Sequence, residues 1–219
     1  MVNVRNMENS KYQEAFASQV SNMRGLGFDP YPQRLHIQIP DAREQLMTGI
    51  RYYMGDKAQW LPDYEQIADW LTDNKGRGLL CLGTCGLGKT LICQNILPVL
   101  IHQYTDRVVN AYTATEMNNS IDKILHERCV IIDDLGTETS ETNNFGNRRT
   151  PFAELCDAAE RRGKLLIITT NLCTNHAIDP KTGLPIPSIE DRYGIRTLDR
   201  LRSITSAILL RGKSMRNAL

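Results

Sequence analysis

The sequence predicts an α/β fold, a parallel β-sheet flanked by helices on both faces. Five short apolar runs recur along it: LLCL (79–82), VVNAYT (108–113), CVII (129–132), LLIITT (165–170) and SAILL (206–210). Each is short for a helix and fits a strand buried on both faces. Segments of helical spacing separate the runs, and strands that alternate with helices pair in parallel through crossovers. The first run leads directly into GTCGLGKT at 83–90. That Gly-rich loop takes its meaning from a strand before it and a helix after it.

The elements follow in order. Residues 8–24 have the composition of a helix, GLGFDPYP (25–32) is a turn-rich break, and RLHIQI (34–39) alternates like a short strand. A helix is expected over 41–54, and another after Leu61-Pro62, where Tyr64, Ile67, Ala68 and Leu71 recur at helical spacing. Beyond the Gly-rich loop a helix runs from Gly88 to about Tyr104, with a kink expected at Pro98. A further helix spans 115–127. Thr150 before Pro151 reads as an N-cap with proline at the first helical position, and that helix ends near Gly163. NHAIDPKTGLPIPSIED (175–191) holds three prolines and the turn signal DPKTG, so it reads as an extended loop or hairpin at the working edge of the sheet. The chain divides into an N-terminal segment, 1–60, and a core, 61–219.

With 219 residues, 41% of them hydrophobic, and a net charge of +1, the chain has the composition of a soluble globular protein and is not a globally basic nucleic-acid binder. No run approaches the length of a membrane span, and the first residues lack a signal-peptide core, so a cytoplasmic protein without membrane contact is expected. The six cysteines (Cys81, Cys85, Cys93, Cys129, Cys156, Cys173) form no C-x-x-C pair and no zinc spacing, and are expected to be reduced. Basic residues concentrate near the C-terminal end: Arg192, Arg196, Arg200, Arg202, Arg211, Lys213 and Arg216 stand against Asp199 alone between 192 and 216.

The chemistry begins at Gly83, Thr84, Cys85, Gly86, Leu87, Gly88, Lys89 and Thr90. The glycines let backbone N–H groups turn toward phosphates at a helix N-terminus, Lys89 reaches the β/γ oxygens, and the Thr90 hydroxyl suits Mg²⁺. CVIIDD (129–134) ends an apolar strand on two carboxylates. Asp133 is placed to hold Mg²⁺ and Asp134 to polarise an attacking water, although Asp134 also suits a turn before Leu135-Gly136. Asn171 follows the fourth strand, where its amide would reach the same crevice, though asparagine after a strand is commonly a turn residue. Arg192, Arg196 and Arg200 lie four apart, on one face if a single helix holds them; the face is either solvated charge or an arginine offered to a neighbouring subunit's nucleotide.

Taken together, GTCGLGKT, VIIDDLGTE, LLIITTN and RYGIRTLDRLR resemble, in that order, the AAA+ ATPases of the bacterial DnaC/DnaI-like helicase loaders and IstB-like transposition helpers. The resemblance covers about Tyr64 to Arg216. It implies an AAA+ P-loop core with a five-stranded parallel sheet and little or no C-terminal helical lid. Lys89 and Thr90 then correspond to Walker A, Asp133 and Asp134 to Walker B, and Asn171 to sensor 1. Arg200 corresponds to the arginine finger, with Arg196 the close alternative, and Arg216 to the sensor-2 arginine. The implied cofactors are ATP and Mg²⁺. The implied partners are a replicative DNA helicase (or a transposase), single-stranded DNA, and further copies of the chain in an ATP-bridged oligomer. Asp134 stands where many AAA+ proteins have glutamate, although this group often uses aspartate, and the N-terminal 60 residues match nothing in it. A small-molecule kinase would use the same loop but would leave Asn171 and the arginines without roles. A non-hydrolysing nucleotide-binding module differs from the ATPase only in turnover.

Overall fold

The computed structural model describes residues 2–27, 33–144 and 147–212, the side chains of 2–10, 143, 144 and 147 excepted. The chain separates into two compact units, 1–32 and 33–219. In the first, α1 (Val2–Gly25) is one continuous helix.

The second unit is built on a five-stranded sheet of β1 (Gly78–Gly83), β2 (Asn110–Thr113), β3 (Cys129–Leu135), β6 (Leu165–Thr170) and β9 (Thr205–Leu210), in the order β2-β3-β6-β1-β9. Every pairing in it is parallel. The five expected strands are therefore all present, in the α/β P-loop architecture anticipated, with β1 near the centre of the sheet.

Strand alternation divides the core into two layers. Leu79, Cys81, Ile131 and Ile167 pack on one face, against Ile67 and Leu71 of α3 (Tyr64–Thr72), Leu46 and Ile50 of α2 (Ala42–Met54), and the helix that follows β1. Leu80, Val130, Ile132 and Ile168 pack on the other, against α5 (Ala114–Ile124), α6 (Pro151–Arg162) and α8 (Ile195–Ile204). Two antiparallel pairs, β4–β5 (Thr142–Asn144, Asn147–Arg149) and β7–β8 (Ala177–Ile178, Pro185–Ile186), lie in connections, and a short helix α7 (Ile189–Tyr193) packs its Ile189 into the second core layer.

Several local expectations change. Residues 34–39 form no strand, because a side chain takes the place of a neighbouring strand. Asn74 accepts the Ile37 N–H at 2.8 Å and donates to Leu35 O at 3.0 Å, while Ile39 N–H bonds Leu71 O at 2.9 Å. Ile37 and Ile39 are thereby buried in the same core as α2, and the second compact unit begins at Gln33. The Pro98 kink is a widened turn: Leu91–Ile96 is a π-helical segment, with the Leu97 N–H bonded to Ile92 O, and α4 (Leu97–Thr105) continues from it. Proline cannot donate to Gln94 O, and a π turn is a common way to absorb such a defect. Thr150 makes no side-chain cap to α6. Side-chain caps form instead at α5, where Thr113 and Glu116 close a capping box, and at α7, where Ser188 accepts the Asp191 N–H.

Within 175–191, β7 and β8 form the hairpin, with Gly183 N–H bonded to Asp179 O at 2.8 Å across the DPKTG turn, and the last residues enter α7. The arginine segment is two helices, not one. It breaks at Gly194, whose φ of 84° is easy only for glycine, so Arg192 in α7 does not share a face with Arg196 and Arg200 in α8. Arg216 lies outside the described residues, as does any lid beyond Gly212. Among the described residues no helix is long and apolar enough to cross a membrane. All six cysteines are free, with Cys85 exposed, Cys173 half-buried and the other four buried.

Candidate functional site

At the C-terminal end of β1 the chain turns through Gly83, Gly86 and Gly88, with φ of 143°, 85° and 78°. At Gly83 a Cβ would meet Leu210 O at 2.5 Å, so only glycine lets β1 and β9 run together up to the loop. Leu87 is buried and holds the loop down, and its carbonyl accepts the Tyr64 hydroxyl at 3.0 Å. That contact ties α3 to the loop. Burial pushes the Tyr64 pKa up to about 12, with the neighbouring Cys81 adding to it.

Lys89 is only 6% exposed. Its ammonium donates to Gly83 O at 2.7 Å, Thr84 O at 2.9 Å and Asn171 Oδ1 at 2.9 Å. Asn171, one residue beyond β6, also directs its amide at the Cys85 sulfur, 3.5 Å away. Asn171 therefore lies at the same loop mouth as Lys89. A lysine so enclosed, with three oxygen partners at the mouth of a glycine loop, is a cation held where anionic oxygens can replace or join those partners.

Thr90 donates to the Asp133 carboxylate, its Oγ1 lying 3.1 Å from Oδ2 and 3.3 Å from Oδ1. Asp133 is 5% exposed. A hydroxyl and a buried carboxylate paired beside the loop form an oxygen donor set suited to a hard cation such as Mg²⁺. Glycine loop, lysine and donor set thus fit a nucleoside triphosphate with its metal.

Thr169, fully buried in β6, was not expected from the sequence. Its hydroxyl donates to Asp133 Oδ1 at 2.5 Å and accepts the Asp134 N–H at 2.9 Å, so one side chain sets both acids. The usable signal was a pair of hydroxyl residues, Thr169 and Thr170, ending a strand whose other buried positions are apolar. The two acids also sit on an irregularity. Ile132 pairs with Ile168 but Leu135 pairs with Thr170, so β3 carries one extra residue there. Asp134 occupies it with φ 52°, and its side chain is exposed. The bulge sends Asp133 inward to Thr90 while Asp134 faces solvent at the strand tip.

The arginines separate. Arg200 is held by its own chain, with NH2 2.7 Å from Asp157 Oδ1 and Nε 3.3 Å from Glu160 Oε2, both on α6. Arg192 lies 3.1 Å from the Tyr193 hydroxyl and 3.9 Å from Glu138. Arg196 is exposed and makes no hydrogen bond or ion pair among the described residues.

No family model matches the chain, and no curated protein matches it. Among solved structures it is similar to the DnaC helicase loader, at 15% identity over 80% of this chain and 93% of that one, with a TM-score of 0.47. It is similar to DnaI at 17% identity over 80% and 84%, TM-score 0.47. AMPPCP-bound DnaA from Aquifex aeolicus aligns at 14% identity over 71% of this chain and 50% of its own length, TM-score 0.44.

Proposed function

We propose that the chain is an ATPase of the AAA+ helicase-loader type. One observation carries the reading: Lys89 and Thr90, adjacent in the Gly-rich loop, reach Asn171 and Asp133 at the ends of two other strands of the sheet. That convergence answers to a phosphate, a metal and a water held together, and the order of the sequence motifs supports the family. Gly83 through Thr90 would cradle the phosphates, Thr90 and Asp133 would hold Mg²⁺, and that ion would supply charge neutralisation on the phosphate oxygens. Asp134, exposed at the strand tip, is the candidate to accept the proton of the attacking water. Asn171 orients the same crevice from β6.

Of the two candidate fingers, Arg196 is the one free to reach a neighbouring copy, since Arg200 would first have to leave Asp157 and Glu160. Arg216 retains its proposed sensor-2 role. The proposed partners are further copies of the chain, single-stranded DNA and a replicative helicase, with residues 1–60 as the segment that selects the helicase.

Measuring ATP turnover with Mg²⁺, with and without single-stranded DNA, tests the enzyme. Lys89→Ala is expected to abolish it, and full activity in that protein would sink the reading. Co-purification with a hexameric helicase tests the partner; recovery of a transposase in its place would shift the assignment to an IstB-like helper.

A further inference from the structure

The Glu138 carboxylate has no role in the chemistry above, yet its side chain is only 1% exposed. Its two oxygens serve two different parts of the fold. Oε2 accepts the Gly136 N–H at 2.8 Å, in the turn that leaves β3. Oε1 accepts the hydroxyl of Tyr193, the last residue of α7, with Arg192 Nε 3.9 Å away. Arg192 in turn lies over the Tyr193 ring at 5.6 Å, and that ring packs on Phe152 of α6 with centroids 4.7 Å apart.

A buried carboxylate is costly unless both oxygens are filled, and an apolar side chain would pack α7 at lower cost. What a carboxylate alone supplies here is an acceptor at each end. On one side stands the turn that carries Asp134. That turn is closed further by the Thr137 N–H and hydroxyl, at 3.2 and 2.9 Å from Asp134 O, and by Gly136, where a Cβ would meet Leu172 at 2.8 Å. On the other side stands the Tyr193-Gly194 junction, from which α8 begins and presents Arg196.

We propose that Glu138 is a positioning residue that holds the turn bearing Asp134 and the helix bearing Arg196 in one fixed relation. The proton-accepting side of a subunit's own site and the arginine it offers its neighbour are then set by one side chain. The inference rests on the ATPase reading for its kinetic consequence but not for its structural one.

The test compares wild type, Glu138→Gln, Tyr193→Phe and a control, Ile121→Val, which trims the same core layer on α5. At saturating ATP we expect Glu138→Gln to lower kcat about tenfold or more while nucleotide affinity stays within about threefold, the split of a group that acts on geometry and not on binding. Tyr193→Phe falls between it and wild type, and the control keeps kcat. Hydrogen exchange measured without nucleotide should show 134–138 and 195–204 losing protection together in Glu138→Gln. Unchanged kcat in Glu138→Gln would overturn the kinetic claim, as would a loss the control matches at equal Tm. Exchange that rises at 134–138 alone would overturn the coupling. If wild type hydrolysed no ATP, the enzyme reading would fail on its own, and the exchange result would still decide whether Glu138 joins the two segments.

Discussion

Replacing Thr169 by valine keeps the shape of a fully buried side chain and removes its hydroxyl. Two bonds go with it, the 2.5 Å donation to Asp133 and the 2.9 Å acceptance from the Asp134 N–H. A hydrogen bond to a charged group contributes about 1.5–3 kcal/mol, and an ordinary one about 0.5–1.5 kcal/mol. The methyl that valine adds returns at most about 0.8 kcal/mol. Thr169→Val should therefore destabilise the fold by roughly 1–4 kcal/mol. Thr169→Ser supplies the contrast, since it keeps the hydroxyl and loses one buried methyl, at a cost of about 1 kcal/mol. Equilibrium urea unfolding of the three proteins, with equal m values, measures both differences. Serine should stand between wild type and valine. A valine protein as stable as the serine one would show that Thr169 acts by packing alone and refute the account of how the two acids are held.

Asn74→Ala removes four hydrogen bonds, to Ile37 N–H, Gly76 N–H, Leu35 O and Arg77 O, from a site 1% exposed, and should cost about 3–5 kcal/mol in the same urea assay. Tyr64 stays protonated in the folded chain up to about pH 12, whereas the unfolded chain releases that proton near pH 10. Its contribution is whole below pH 10 and is lost as pH rises toward 12, by about 2–3 kcal/mol. Tyr64→Phe should flatten the fall of stability measured between pH 9.5 and 12. With a thiol reagent on the native protein Cys85 should react first, Cys173 more slowly and the four buried cysteines last, and ATP with Mg²⁺ should slow Cys85 selectively. Equal rates for all six would contradict the burial.

Much of the sheet was legible in the sequence because β1, β3 and β6 are buried on both faces and read as continuous apolar runs. The Gly-rich loop and the paired acids were legible because their types follow from phosphate and metal chemistry. What escaped notice depends on long-range partners. Asn74 looks like a turn residue, and only contact with residues 37 sequence positions away turns it into a strand substitute. Thr169 and Glu138 look like an ordinary strand residue and an ordinary surface acid until the fold brings Asp133 and Tyr193 against them. The four-residue spacing of Arg192, Arg196 and Arg200 misled because Gly194 was read as part of a helix and is in fact where one ends. Spacing arguments hold only within one element.

The bulge at Asp134 also limits which amino acids can stand there. With φ at 52°, the position favours glycine, asparagine and aspartate, whose short polar side chains tolerate the left-handed region. Glutamate at this place would gain reach but meet the backbone at a cost of about 1–2 kcal/mol. The shorter acid is thus a consequence of strand geometry as much as of chemistry. A saturation library at 134 would be sorted first by conformation and only then by whether the survivor can take a proton, so Asp134→Asn, which keeps the backbone and removes the proposed base, is the informative member.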